Sequence, residues 1–117
     1  MVEALRITPA LFGTKKNLVE YGATITIKFV LEALENGTWQ KVNADTLEAY
    51  LETTEKPPAQ ITSLPVGSLG VGEYYVNFYA DPDTVSMFGK YYVSLYVTYG
   101  GIEKAERFLV VVVQDVR

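Results

Sequence analysis

The chain contains no cysteine and no histidine. Those two absences remove the thiolate and imidazole nucleophiles, the side chain that titrates nearest neutrality, and every thiolate or imidazole metal site. Disulfide staples go with them, so the fold must rest on its core. Cationic side chains are also scarce, ten Lys and Arg against 14 Asp and Glu, for a net charge of −4 at pH 7. That is the wrong sign for a protein that tracks a phosphate backbone, and nucleic acid is not an expected partner. Long apolar runs are missing as well. The longest, Phe108 to Val113, spans six residues, where a membrane helix needs ~20, so no membrane partner is expected. Met1 to Pro9 carries Glu3 and Arg6 where a signal peptide requires an unbroken apolar stretch, which points to a chain not exported by that route. The lack of cysteine fits both a reducing cytoplasm and a disulfide-free extracellular β domain.

What is present is a folding composition. The 117 residues suit one domain, 1–117, and 49% of them are hydrophobic, with nine tyrosines and five phenylalanines, unlike a disordered chain. Residues 1–19 read as an N-terminal arm or strand and 20–113 as the core of the domain. A period of two runs through that core. From Ala23 to Ala33 the odd positions are Ala, Ile, Ile, Phe, Leu and Ala, and the even ones Thr, Thr, Lys, Val and Glu, so one face of a long strand is buried. Asn36-Gly37 then supplies the positive φ of a tight hairpin, with Thr38 to Val42 returning. Further strands are expected at Thr46 to Thr53, weakly at Gln60 to Val66, at Glu73 to Ala80, at Lys90 to Tyr99 and at Ile102 to Val113, with Glu3 to Thr8 and Lys16 to Val19 before them. Pro65 places the weak strand at an edge, because proline donates nothing to a ladder. Gly100-Gly101 closes the last hairpin. Seven or eight short, mostly antiparallel strands with turn signals every 8–12 residues predict an all-β fold, an immunoglobulin-like β-sandwich.

Catalysis is not expected from this inventory, and neither is a cofactor. Asp81 and Asp83 flank Pro82, and with Asp45 they are the only loop carboxylates that invite a Ca²⁺ reading. Asp-Pro-Asp is also an ordinary turn, since aspartate bonds its own backbone, and no full ligand set accompanies it, so the expected metal count is none. Asn36-Gly37-Thr38 fits a glycosylation acceptor, but the hairpin accounts for the same residues. Gly70-Val71-Gly72 has no following helix to aim at a phosphate and reads as a flexible approach to a strand.

Two features point to partners. Tyr75 and Tyr79, and Tyr92 and Tyr96, fall on the faces turned away from the core; in a sandwich the two pairs lie on opposite surfaces. Half-exposed tyrosine in a strand and a protein interface explain them equally well, with sugar stacking the lesser reading. The last strand is apolar on both faces from Phe108 on. Phe108 belongs to the core face, while Leu109, Val111 and Val113 face outward. Such a strand aggregates unless it is covered, either by the N-terminal segment or by a neighbouring subunit. Val30, on the outer face of its own strand, adds to the assembly reading.

The order of motifs resembles the immunoglobulin-like β-sandwich modules of tailed-phage virion proteins. Tyr21-Gly22-Ala23-Thr24-Ile25-Thr26-Ile27 opens a strand of alternating threonines and aliphatics, and Asn43-Ala44-Asp45-Thr46-Leu47 leads to the next. Gly70-Val71-Gly72-Glu73-Tyr74, Gly89-Lys90-Tyr91-Tyr92-Val93, and Gly100-Gly101 followed by Phe108-Leu109-Val110 complete the pattern over residues 21–113. The resemblance implies a structural protein of a virus particle, a capsid decoration or small tail or neck component without cofactor or catalytic residue. Its partners would be copies of itself or a major capsid or tail subunit, assembled in the host cytoplasm. The alternative is an extracellular, cell-surface adhesion or carbohydrate-binding module belonging to a larger protein.

Overall fold

The structure, a computed structural model, describes residues 2–11, 18–86 and 88–113. Lys16 and Asn17, where the second expected strand begins, lie outside the described residues.

Alternation in the sequence becomes burial in space. In β3 (Thr24–Glu35) the side chains of Ile27, Phe29, Leu31 and Ala33 are fully buried while Lys28, Val30 and Glu32 face out. The same rule holds in β8 (Glu73–Tyr79) and β9 (Lys90–Tyr99), where Tyr74, Val76, Phe78, Val93, Leu95 and Val97 turn inward. The remaining strands are β1 (Val2–Leu11), β2 (Leu18–Glu20), β4 (Thr38–Lys41), β5 (Thr46–Thr53), β6 (Gln60–Ser63), β7 (Val66–Gly70) and β10 (Ile102–Val113).

They form two five-stranded sheets. One runs β1-β3-β8-β7, with β4 also paired to β3; the other runs β2-β10-β9-β5-β6. Every pairing is antiparallel except β2 with β10. Their inner faces meet in one core built around Phe29 and Phe78 from the first sheet and Leu51, Val93 and Leu95 from the second. This is an immunoglobulin-like β-sandwich. Near the start of β9 the Tyr91 hydroxyl accepts the Ser86 backbone N–H at 2.7 Å, five residues upstream, which is the arrangement of a tyrosine corner.

Among the described residues ten strands form, more than the expected seven or eight, because Gln60 to Val66 divides in two and the returning arm Thr38–Lys41 is a strand of its own. Leu64 donates its N–H to Ala49 at 2.9 Å, and Pro65 lends its carbonyl to Asn77 at 3.1 Å. The chain thereby hands over from the second sheet to the first at a residue that cannot continue a ladder. β6 and β7 are consequently edge strands of opposite sheets.

Several turns take a left-handed backbone, and two of them bear on the fold. Asn36 (φ 52°) and Gly37 (φ 76°) make the β3–β4 hairpin as the sequence predicts. Gly72 is different from its expected role as a flexible approach. Its φ is +68°, its N–H donates to Asn43 Oδ1 at 3.1 Å, and its carbonyl accepts the Leu31 N–H at 2.7 Å. A Cβ there would stand 2.7 Å from the Leu31 carbonyl oxygen and 3.0 Å from the Val42 nitrogen, both backbone atoms that cannot step aside. Gly72→Ala is therefore expected to cost about 2–4 kcal/mol through strain and clash. A urea midpoint within error of the unsubstituted protein would refute that account.

Candidate interaction face

The two outer surfaces of the sandwich differ in character. On the first sheet, ion pairs cross the strands: Arg6 to Glu32 at 3.0 Å, Lys28 to Glu73 at 2.6 Å and Lys41 to Glu73 at 3.1 Å. The Lys28 and Lys41 ammonium groups, hydrogen-bonded to Glu73, hold its carboxyl below the usual range. Arg6 also lies 4.2 Å above the Trp39 ring. Tyr75 occupies the space left by Gly67, where a Cβ would fall 2.4 Å from the tyrosine ring, so this tyrosine fills a hole in its own sheet. Tyr79 is half exposed. Val30 sits in this polar surface, between Thr8 and Glu73. It is thus on the side of the molecule away from the outer face of β10 and shares no surface with Leu109, Val111 and Val113.

The second sheet carries Tyr92, Tyr96, Leu109, Val111 and Val113 on one surface. Register explains how they group: Glu52, Tyr92 and Leu109 form one cross-strand row, Tyr50, Ser94 and Arg107 the next, and Glu48, Tyr96 and Ala105 a third. Toward the other end β2 pairs with Val111 to Val113 and sets Leu18 beside Val111. The N-terminal segment therefore covers the edge of β10 over these residues. Its outer surface stays accessible, with Leu18 42% and Leu109 38% exposed.

Glu52 is the residue that alternation misplaces. Its outward position predicts a solvated carboxylate, yet its side chain is only 2% exposed. Ser94 Oγ donates to Glu52 Oε1 at 2.5 Å, Arg107 Nε donates to the same oxygen at 3.2 Å, and the Tyr96 hydroxyl donates to Oε2. Arg107 continues to the Tyr96 oxygen at 3.1 Å, and its guanidinium lies 5.7 Å from that ring. Tyr50 meets Tyr96 edge-on with centroids 5.9 Å apart and donates its own hydroxyl to Glu48 at 3.2 Å. Burial, then the Glu52 carboxylate, pushes the Tyr96 hydroxyl above its ordinary range, and the Glu48 charge does the same for Tyr50. Both hydroxyls are thus held by carboxylates, Tyr96 by Glu52 and Tyr50 by Glu48. Sequence reasoning missed Glu48, Tyr50, Glu52, Ser94 and Arg107. Only the register of three strands, which no local pattern carries, brings them together.

Beside the network lies a concavity of about 480 Å³, lined by Thr46, Glu48, Tyr50, Gln60, Tyr96 and Glu103 among others. The small Ala105 opposite Tyr96 leaves room for it.

The loop carboxylates are occupied locally. Asp81 accepts the Asp83 N–H at 3.0 Å and the Thr84 hydroxyl at 3.4 Å, an aspartate turn. Asp45 accepts the Gly100 N–H at 3.0 Å at the opposite end of the sandwich, so it does not join Asp81 and Asp83. Among the described residues no group of three or more His, Cys, Asp or Glu side chains is placed to hold a metal ion. Among them, too, no helix is long and apolar enough to cross a membrane.

No family model and no curated protein sequence matches the chain. Solved structures do resemble it. A DUF4785 family protein from Legionella pneumophila superposes with a TM-score of 0.67 at 15% identity over 94% of this chain, which spans 29% of the length of that protein. A chimeric titin Z1Z2 carrying a KLER peptide from decorin superposes with a TM-score of 0.56 at 14% identity, covering 98% of this chain and 99% of that one. At such identities the likeness is one of fold, and it places the chain in the class of immunoglobulin-like β-sandwiches.

Proposed function

We propose that the protein is a non-enzymatic structural module that works by packing the outer surface of its second sheet against another protein. In its specific form this reading makes it a component of a virus particle, a capsid decoration or small tail or neck protein. One observation carries it: on the second sheet Tyr92 lies opposite Leu109, so its outer surface runs from tyrosine rings into the aliphatic ledge of Leu18, Leu109, Val111 and Val113. A ledge of that kind is what a partner removes from water. Phe88 supports it. This exposed aromatic stands in the left-handed region at φ 65°, a conformation costly for a bulky residue, one position before Gly89, whose carbonyl accepts the Val112 N–H at 2.9 Å.

The second reading is a domain within a larger surface protein, favoured by the Legionella neighbour, in which the matched fold is under a third of the chain. Density-gradient fractionation of the source culture with peptide mass spectrometry separates the two. Stoichiometric recovery in a particle band supports the virion reading, and recovery only with the cell envelope rejects it.

Val111→Lys tests the surface itself. The half-buried valine lies beside Leu18 and Lys90 on the outer face, so the lysine should leave the monomer folded, with unfolding shifted by no more than about 1 kcal/mol, while abolishing assembly. Normal assembly of the variant would remove Val111 from any interface.

A further inference from the structure

The concavity on the second sheet has a lining that selects for charge. Its charged and aromatic side chains on the outward register of β5, β9 and β10 are Glu48, Tyr50, Tyr96 and Glu103. Val97 and Lys104, which also border it, alternate to the other side of their strands, and Val97 is buried in the core. The outward set therefore holds two carboxylates, two tyrosine rings and no cation. The wall next to it already shows the matching chemistry: the chain's own Arg107 guanidinium sits against the Tyr96 ring while donating to Glu52. Glu48 lines the concavity and accepts the Tyr50 hydroxyl at 3.2 Å.

We propose that this concavity is a subsite for a basic side chain, the guanidinium of an arginine or the ammonium of a lysine, presented by the protein partner that packs on this sheet. The proposal rests on the packing reading above and deepens it. The incoming cation would lie against Tyr50 and Tyr96 and pair with Glu48 and Glu103, as Arg107 lies against Tyr96 and pairs with Glu52. Guanidinium fits better than ammonium, because its flat face stacks on a ring while its edge donates to carboxylates. Rings whose hydroxyls are already hydrogen-bonded lose less entropy on contact than unbonded ones.

The test titrates the ¹⁵N-labelled full chain with the peptide Ac-Gly-Arg-Gly-Arg-Gly-NH₂ and with its citrulline counterpart, which keeps the shape and loses the charge. The expected result is saturable amide shifts at Glu48, Tyr50, Tyr96 and Glu103 with the arginine peptide, at least fivefold weaker with citrulline. The double variant Glu48→Gln, Glu103→Gln should lose the arginine response at least fivefold while keeping native amide dispersion. Equal response to both peptides, or shifts centred on Asp81 or Glu73, would overturn the subsite. So would cellohexaose producing the same shift map, since that makes the site a sugar platform. If the arginine peptide is silent while Val111→Lys still blocks assembly, the subsite falls and the packing reading stands. If the peptide binds as described and Val111→Lys assembles normally, the subsite stands and the packing reading falls.

Discussion

Replacing Phe29 with alanine is expected to lower stability by about 3–5 kcal/mol, enough to leave the domain largely unfolded at 37 °C. The ring is fully buried at the centre of β3, between β1 and β8 and facing the second sheet, so its removal leaves a void that strands pinned on both edges cannot close. Phe108 provides the control. The sequence places its ring in the core, which would predict the same loss, but the structure leaves it half-buried, opposite Val93 on the inner face of β10 and packed against the core at its margin. Phe108→Ala should accordingly cost about 1–2 kcal/mol. Urea denaturation of both variants decides the matter. Equal losses would mean that Phe108 is as deep as Phe29 and that the partition of burial along β10 is wrong.

Glu52→Ala should be the most damaging surface-side substitution, at about 2–3 kcal/mol. Breaking a buried ion pair from one side costs up to about 3–5 kcal/mol, but the Arg107 side chain is 38% exposed and can regain water, which lowers the figure. Ser94 is fully buried and has no such escape, so its hydroxyl is left without an acceptor. Arg107→Ala is expected to cost about 1 kcal/mol, and the double variant less than the sum of the two by about 1 kcal/mol, because the partners act as one unit. Strict additivity in that cycle would show the pair to be energetically uncoupled. The Glu52 variant should also free the Tyr96 ring, which ¹³C relaxation of the tyrosine side chains would report.

Much of this molecule is legible in its sequence because period-two alternation has one physical outcome. The inward sets of β3, β8 and β9 are fixed by which residues avoid water, and the limits of β5, β9 and β10 by the turn residues that bound them. Asn36-Gly37 and Gly100-Gly101 specify their hairpins locally, since few residues tolerate positive φ. The candidate face is another matter. Its apolar part, Leu109, Val111 and Val113, shows in the sequence as a strand with nothing polar on either side. Its polar part does not show at all, because Glu48, Glu52, Ser94 and Arg107 lie on three strands and each reads alone as a solvated position.

The sequence by itself determined the class of fold, the faces of its long strands, its hairpins, and the absence of thiol and imidazole chemistry. These follow from composition and near-neighbour geometry. Only the tertiary structure decided that Pro65 hands the chain from one sheet to the other, that Gly72 is locked under β3, that Val30 and the β10 ledge face opposite ways, and that Glu52 is buried beneath Arg107 and Tyr96. Those are matters of strand register and sheet pairing, set by contacts between residues roughly 12 to 55 positions apart, and such contacts leave no periodic trace in the chain.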